Sequence, residues 1–361
     1  MYLFCNDYKI NILGMKGPSV LLLCGLHLLV TATATNADVN SNAGFLSVGD
    51  WGSASLGGYH LRNAAGTANA MKAYIANGRG SGASVSFVLN TGDNFYYCGI
   101  QNTSDPQITE DYTELFGGMG VPWYHSLGNH DYGFSPEAQL ELNETIPEWI
   151  MDDRYYHRRI VLPGGDDNDI RVNIIVLDTN PCVRDYRGTD RRKWDPCGTE
   201  YPDCSPIAEP CRFHENILSQ NCDTQLSWAK DVFANIPDGE WVFVVGHHKA
   251  TEINVADFQS TILDNPRVHL YLNGHNHNLE HYSVNGQAKY MTTGAGGMVI
   301  IGSTEAAHAR AHARAHEKSL WSKVITGFTS HVFSDNGTTL TTYFWDIKSN
   351  TTSIYSFDVH L

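Results

Sequence analysis

The sequence predicts a mixed α/β fold in which several buried strands end at one edge and present polar side chains there. The first observation behind this is one event repeated five times, an apolar run rich in Val, Phe and Leu that stops abruptly at Gly plus a polar residue. It occurs at Phe45-Leu46-Ser47-Val48 before Gly49-Asp50, at Val85 to Leu89 before Gly92-Asp93, and at Val121 to Leu127 before Gly128-Asn129-His130-Asp131. It recurs at Trp241 to Val245 before Gly246-His247-His248, and at Val268 to Leu272 before Gly274-His275-Asn276-His277. Short runs of this kind bounded by Gly read as buried strands, and open α/β sheets place ligands in the crevice beyond the carboxyl ends of their strands. The second observation is helical periodicity at Asn63 to Asn77 and at Asp223 to Ile236. In the latter, Asp223 is placed as the N-cap, and Leu226, Ala229, Phe233 and Ile236 share a face at steps of three or four. From Phe328 to Val359, short strands alternate with turns, Asp335-Asn336-Gly337 giving a hairpin signal. This predicts a largely antiparallel second sheet packed on the first.

With 361 residues, 42% hydrophobic and 17% charged, the chain suits one large domain with a substantial core. A net charge of -15 with only 24 Lys and Arg excludes nucleic acid as the natural partner, because binding a duplex requires cations to neutralise its phosphates. An acidic chain that handles an anionic substrate needs local positive charge, which bound metal ions supply.

Met15-Lys16, the apolar run Val20 to Val30 and the small-residue stretch Thr31 to Thr35, with Ala32-Thr33-Ala34 as a cleavage site, read as a signal peptide over residues 1–37 with Met15 as an alternative start. The run falls short of the ~20 apolar residues of a membrane span. Residues 38–361 are then expected as the mature domain, secreted or delivered to a lysosome or vacuole, with no membrane contact once the leader is removed; a retained anchor is the alternative. Loss of Cys5 and Cys24 with the leader leaves Cys98, Cys182, Cys197, Cys204, Cys211 and Cys222. In an oxidising compartment these read as up to three disulfides with 15 connectivities open. Five of them lie in a segment, 181–222, with Pro196, Pro202, Pro206 and Pro210 and no strand or helix period, read as a disulfide-stapled surface insertion. The alternative, a zinc knuckle, lacks a CxxC pair. Sequons at Asn102, Asn143, Asn336 and Asn350 agree with a secretory route and a glycoprotein. In Ala306 to Lys318, His308, His312 and His316 would form one stripe of a helix and Arg310, Arg314 and Lys318 another; an exposed Ala-rich helix with a solvated face is the expected reading.

Hard cations take oxygen and imidazole ligands, and a two-metal hydrolytic site needs a bridging carboxylate plus about three further ligands per ion. Asp50, Asp93, Tyr96, Asn129, His247, His275 and His277 supply seven such groups. A lone Gly-Asp or Gly-His carries no weight, since capping Asp and core His are common; the ordered set is what points to metal.

The blocks Gly49-Asp50-x-Gly52, Gly92-Asp93-x-x-Tyr96, Gly128-Asn129-His130-Asp131, Gly246-His247 and Gly274-His275-x-His277 resemble those of the metallophosphoesterase superfamily. Tyr96 narrows the resemblance to the purple acid phosphatases, since a trivalent iron holds a phenolate deprotonated far below its free pKa of about 10. Pro122-Trp123-Tyr124, Gln225-Leu226-Ser227-Trp228, Asn278-Leu279 and Gly294-Ala295-Gly296 look like the small tartrate-resistant form, over roughly residues 44 to 360. The resemblance implies a four-layer α/β sandwich of two mixed β sheets flanked by helices, the calcineurin-like fold. It also implies hydrolysis of phosphate monoesters, on small phosphorylated substrates or phosphoproteins, by a hydroxide that a dinuclear centre activates. In it Fe(III) takes Asp50, Tyr96 and His277, a divalent Fe, Zn or Mn takes Asn129, His247 and His275, and Asp93 bridges. His130 is the candidate to position phosphate and protonate the leaving group. One departure stands out: the family carries another His a few residues after Gly-His, and Ala250 to Phe258 contains none. His248 is the candidate substitute as a catalytic residue or, alternatively, a hydrogen-bonding support. A phosphodiesterase or nucleotide phosphohydrolase on the same ligands, an inactive binding module on this scaffold, and an iron-redox role are the competing functions.

Overall fold

Two seven-stranded mixed sheets form the body of the unit from Asn40 to Leu361. The first runs in spatial order β14 (Tyr355–His360), β13 (Thr339–Asp346), β12 (Gly327–Ser334), β1 (Ala43–Val48), β2 (Ser84–Asn90), β3 (Trp123–His125) and β4 (Trp149–Ile150). The second runs β11 (Glu317–Lys323), β9 (Leu279–Val284), β10 (Gln287–Thr293), β8 (Leu270–Asn273), β7 (Trp241–Val245), β6 (Ile170–Val176) and β5 (Tyr156–Leu162). The computed structural model describes residues 4–5, 8–9, 42–77, 83–164, 169–188, 196–197, 210–253, 255–299, 317–349 and 352–361. The separate unit Met1–Val39 contains an antiparallel pairing of Phe4–Cys5 with Tyr8–Lys9, and the apolar leader run lies outside the described residues. No described helix is long and apolar enough to cross a membrane.

Alternation along the strands sets the layering. Trp241, Phe243 and Val245 of β7, with Val172, Ile174 and Val176 of β6, enter the apolar core between the sheets; Val242, Val244 and Ile175 face the opposite way, into a second buried cluster. Between the sheets the Phe45 ring of β1 lies 5.2 Å from Phe243, and Phe333 of β12 lies 5.6 Å from Trp241. Truncating one such ring costs about 3–5 kcal/mol. Helices cover the outer faces. On the first sheet, α1 (Gly58–Asn77) sets Tyr74 against Phe328 and Trp345. Two short helices, α2 (Pro136–Glu141) and α3 (Phe213–Leu218), follow in chain order. On the second sheet, α4 (Cys222–Asn235) buries Leu226, Ala229 and Phe233 in the cluster that holds Val242 and Val244.

All five runs anticipated from sequence are strands, and those of one sheet are parallel neighbours: β1 with β2, β2 with β3, and β7 with β8. The two-sheet sandwich expected from the resemblance is the observed architecture. The antiparallel sheet expected for the C-terminal strands is not a separate layer, however. β12 pairs antiparallel with β1, so the hairpin of β12 and β13 completes the sheet begun by the first motif. The cap of α4 is Asn221, whose side chain accepts from the N–H groups of Asp223 and Thr224, rather than Asp223 itself. In the cysteine-rich segment, Cys182–Cys222 and Cys197–Cys211 are bonded, and Cys98 is also in a disulfide whose partner is outside the described residues. That segment is more than a surface appendage, because Tyr186, Phe213 and Ile217 enter the main core and α3 lies within it. The helix expected over 306–318 falls outside the described residues up to 316, and its last two residues, Glu317 and Lys318, begin strand β11.

His331 sits in the middle of this core, stacked on Phe45 at 4.2 Å, with Ser47 Oγ 2.9 Å from Nε2 and Thr342 Oγ1 2.9 Å from Nδ1. Burial pushes its imidazole down to about 3, whereas the unfolded chain takes the proton near pH 6.5. A folded pKa below the unfolded one means that the unfolded state binds more protons between those values, so this stability is present above pH 6.5 and is lost as pH falls. Between pH 6.5 and 4.5 the loss is roughly 2–3 kcal/mol. His331→Gln is expected to flatten the fall in unfolding free energy over that interval by about that amount, read by urea denaturation at stepped pH; an unchanged slope would overturn the assignment.

Candidate metal centre

The C-terminal ends of β1, β2, β3, β7 and β8 meet at one edge of the sandwich, and each chain turns sharply as it leaves its strand. Four of the seven candidate ligands sit in left-handed backbone, Asp50 at φ 55°, Asp93 at 54°, His275 at 70° and His277 at 49°. For non-glycine residues each such conformation costs about 1–3 kcal/mol and persists only where its surroundings enforce it. The enforcement is visible. The N–H of Asp50 donates to the Gly92 carbonyl at 2.9 Å, that of His275 to Asp50 Oδ2 at 3.0 Å, and that of His130 to Asp93 Oδ1 at 3.0 Å. Glycine at 128 is required by proximity, since a Cβ there would lie 2.1 Å from Asp93 Oδ1. At Gly92, φ is 92° and a Cβ would lie 2.8 Å from His247 Nδ1.

All seven side chains converge in two groups that share Asp93. In the first, Tyr96 Oη lies 3.1 Å from Asp50 Oδ1, 3.0 Å from Asp93 Oδ2 and 3.2 Å from His277 Nε2, and His277 Nε2 is 3.3 Å from Asp50 Oδ1. In the second, His247 Nε2 lies 3.1 Å from Asn129 Oδ1, 3.3 Å from His275 Nδ1 and 3.3 Å from Asp93 Oδ2, and His275 Nδ1 is 3.0 Å from Asn129 Oδ1. Asp50, Asp93, Tyr96, Asn129 and His247 are buried; His275 and His277 form the half-buried side.

Burial pushes the Tyr96 phenol well above its ordinary pKa, and the carboxylates of Asp50 and Asp93 push it further, so the phenol keeps its proton and donates it to them. Burial also opposes ionisation of Asp93, yet His247 and then His130 hold its carboxyl well below the usual range. Against burial, the Asp93 carboxylate in turn raises His247 to about 9. Two carboxylates, a phenol, an amide oxygen and three imidazoles with ligand atoms this close form a donor set of the hard-to-borderline type that suits iron, zinc or manganese. His247 Nδ1 lies 2.8 Å from the Thr91 carbonyl, which directs Nδ1–H there and turns Nε2 toward the centre.

Around this set, His130 lies with its ring 4.4 Å from that of Tyr96 and donates Nδ1–H to the Tyr97 carbonyl at 2.6 Å, so Nε2 is the nitrogen that gains or loses a proton. Asp131, next in sequence, accepts from the N–H groups of Gly128, Asn94 and Phe95 and from Gln139 Nε2, which fastens the two loops carrying Asp93 and Asn129 to each other. His248 is buried beside them, with Nδ1 2.8 Å from Thr179 Oγ1 and Nε2 2.7 Å from Tyr186 Oη. Lys249 does not reach the centre; its Nζ lies 2.9 Å from Glu280 and 2.6 Å from Glu317. Asp178 and Thr179 carry no glycine mark in the sequence, because β6 leads through Leu177 directly into Asp178-Thr179-Asn180. An apolar run of β type ending in three polar residues was the available signal.

Residues 44–279 match the family described as calcineurin-like phosphoesterase. The chain belongs to that family. Within this phosphoesterase family it is of the purple acid phosphatase type. It is 29% identical over 262 residues to purple acid phosphatase 7 of Arabidopsis thaliana, covering 70% of this chain and 69% of the relative. It is 30% identical over 268 residues to tartrate-resistant acid phosphatase type 5 of Oryctolagus cuniculus, covering 70% and 72%. The solved structure titled "GAP50 the anchor in the inner membrane complex of Plasmodium" superposes with a TM-score of 0.60 at 23% identity over 89% of both chains, a likeness of fold.

Gly128→Ala places a methyl group where Asp93 Oδ1 stands and is expected to lower phosphoesterase turnover at least ten-fold, about 1.4 kcal/mol in the barrier. Gly118→Ala, at an open surface turn with no heavy atom within 4 Å of the added methyl, is the control for a general effect of Gly→Ala, and equal activity of the two variants would contradict the tight fit.

Proposed function

We propose that this phosphoesterase is a secreted acid phosphatase that hydrolyses phosphate monoesters at a dinuclear centre. The observation that carries the reading is Tyr96 Oη within 3.2 Å of Asp50, Asp93 and His277, where a phenolate would meet a trivalent cation. Asp50, Tyr96 and His277 would hold Fe(III), Asn129, His247 and His275 a divalent Fe, Zn or Mn, and Asp93 would bridge. When bound, the two cations supply Lewis-acid polarisation of the phosphoryl oxygens and a lowered pKa for water. His130 orients the ester and gives its Nε2 proton to the departing alkoxide, with Nδ1 anchored on Tyr97. Burial holds this imidazole below its ordinary pKa against the pull of Asp93, which makes it the stronger acid once protonated, and a dianionic phosphate beside it favours the protonated form. The disulfides Cys182–Cys222 and Cys197–Cys211, with Cys98 also bonded, support export through an oxidising compartment. Small phosphorylated molecules or phosphoproteins are the substrates proposed.

The test combines metal analysis, visible absorption and p-nitrophenyl phosphate hydrolysis at acidic pH on the purified protein. Two metals including iron, a tyrosinate band abolished by Tyr96→Phe, and faster hydrolysis of the monoester than of bis(p-nitrophenyl) phosphate are expected. Two metals without the band would transfer the assignment to a phosphodiesterase; an inactive protein after reconstitution with iron and zinc would end the enzymatic reading. His130→Ala is expected to lower kcat by about 10²- to 10⁴-fold with metal content retained. Because the Tyr96 phenol is protonated and His247 charged in the metal-free arrangement, loading at pH 7 is expected to release protons from both, measurable by pH-stat titration, and apparent affinity should fall as pH is lowered. Loading without proton release would refute that ligand set.

A further inference from the structure

The short turn that follows β6 touches three of the segments that build the centre. Asp178 accepts from Tyr132 Oη, two residues beyond His130, and Asn180 Nδ2 donates to the Leu127 carbonyl at 3.1 Å, just ahead of Gly128-Asn129. Between them, buried Thr179 faces the β7 end. Its Oγ1 accepts the backbone N–H of His247 at 3.1 Å and of His248 at 3.2 Å, and lies 2.8 Å from His248 Nδ1.

A hydroxyl has two lone pairs and one proton. With both lone pairs taken by N–H groups, the Thr179 proton goes to His248 Nδ1, which makes Nδ1 an acceptor. The neutral ring then carries its own proton on Nε2 and donates it to Tyr186 Oη at 2.7 Å. The carbonyl of His248 is held in turn by Tyr271 Oη at 2.9 Å. The methyl lies away from this network: a Cβ on Gly246 would come within 2.6 Å of Thr179 Cγ2, so the methyl is against the strand end and the hydroxyl faces the two histidines.

We propose that Thr179 is a positioning residue for the phosphatase site, setting the backbone of His247 and the Nε2–H tautomer of His248, and that His248 acts by holding Tyr186 and its own loop in place rather than by touching substrate. The inference rests on the dinuclear phosphatase reading, yet the tautomer is measurable independently of activity.

The experiment compares Thr179→Val, which keeps the shape and loses the hydroxyl, with Thr179→Ser, which keeps the hydroxyl and loses the methyl. Two readouts are taken, kcat and KM on p-nitrophenyl phosphate, and the ring nitrogen shifts of His248 by long-range 1H–15N correlation in the zinc-exchanged protein. The expected result is a kcat at least ten-fold lower in Thr179→Val with KM changed less than three-fold, recovery to within three-fold of wild type in Thr179→Ser, and a proton on Nε2 of His248 in wild type that is no longer confined there in Thr179→Val. A wild-type kcat in Thr179→Val, equal damage in both variants, or a proton on Nδ1 in the wild-type protein would each overturn the proposal. A protein without monoesterase activity but with the Nε2 proton in place would refute the phosphatase reading and leave the hydrogen-bond assignment standing.

Discussion

Asp50 and Asp93 bring two carboxyl groups and their shared phenol partner into one buried place, and the surrounding structure is arranged by the need to keep that charge satisfied out of water. An ionised carboxylate buried without partners would lose several kcal/mol. Here each has backbone N–H groups aimed at it, His275 on Asp50 and His130 on Asp93, and Asp93 also faces the His247 imidazole. Both carboxylates and the His275 donor sit in left-handed backbone as the chain leaves its strands, so the strained torsions and the buried charge occur at the same residues. A bound cation answers what remains, and this is the physical reason that a cluster of acidic and phenolic oxygens reads as a metal centre.

Convergence of this kind needs strand ends from both sheets at one edge. β1, β2 and β3 bring Asp50, Asp93, Tyr96 and Asn129 from one sheet, while β7 and β8 bring His247, His275 and His277 from the other. The aromatic layer of Phe45, Phe243, Trp241 and Phe333 fixes the separation of the sheets. Their relative register at the site edge is set by polar contacts that cross from one to the other, including Asn180 to the Leu127 carbonyl, His247 to the Thr91 carbonyl, and Asp178 to Tyr132. The apolar contacts are tolerant of small shifts and the hydrogen bonds are not, so packing brings the two halves together and the crossing bonds set their alignment.

Much of this arrangement was legible in the sequence because strand ends announce themselves. A run such as Trp241 to Val245 alternates between two apolar environments and stops where Gly246 permits a turn, so both the strand and the exit of His247 follow from local chemistry. The C-terminal strands are legible as a hairpin but their layer is not, since alternation reports that a strand has two faces and says nothing of which neighbour it pairs with. The pairing of β12 with β1 joins residues such as His331 and Phe45, far apart in the chain. The turn Asp178-Thr179-Asn180 was missed for a different reason. Thr179 bonds the histidines after β7 while Asp178 and Asn180 bond the segment after β3, and without glycine the turn offers no local mark of these contacts. The cap of α4 moved by two residues because both Asn221 and Asp223 are capping types and only the extended backbone of Asn221 selects between them.

The departure from the family after Gly246-His247-His248 has a structural counterpart. Where a further histidine was expected, the segment from Lys249 to Ile253 is turned into the protein. Lys249 is buried over the Tyr282 ring at 4.4 Å and paired with Glu280 and Glu317, and Thr251 bonds the same Glu317. A cation so engaged has no charge to spare for a phosphate, and burial with two acidic neighbours ties this loop to β9 and β11 instead of to the opening of the site. His130 keeps Nδ1 on the Tyr97 carbonyl with its ring against Tyr96, whereas His248 places its two ring nitrogens on Thr179 and Tyr186.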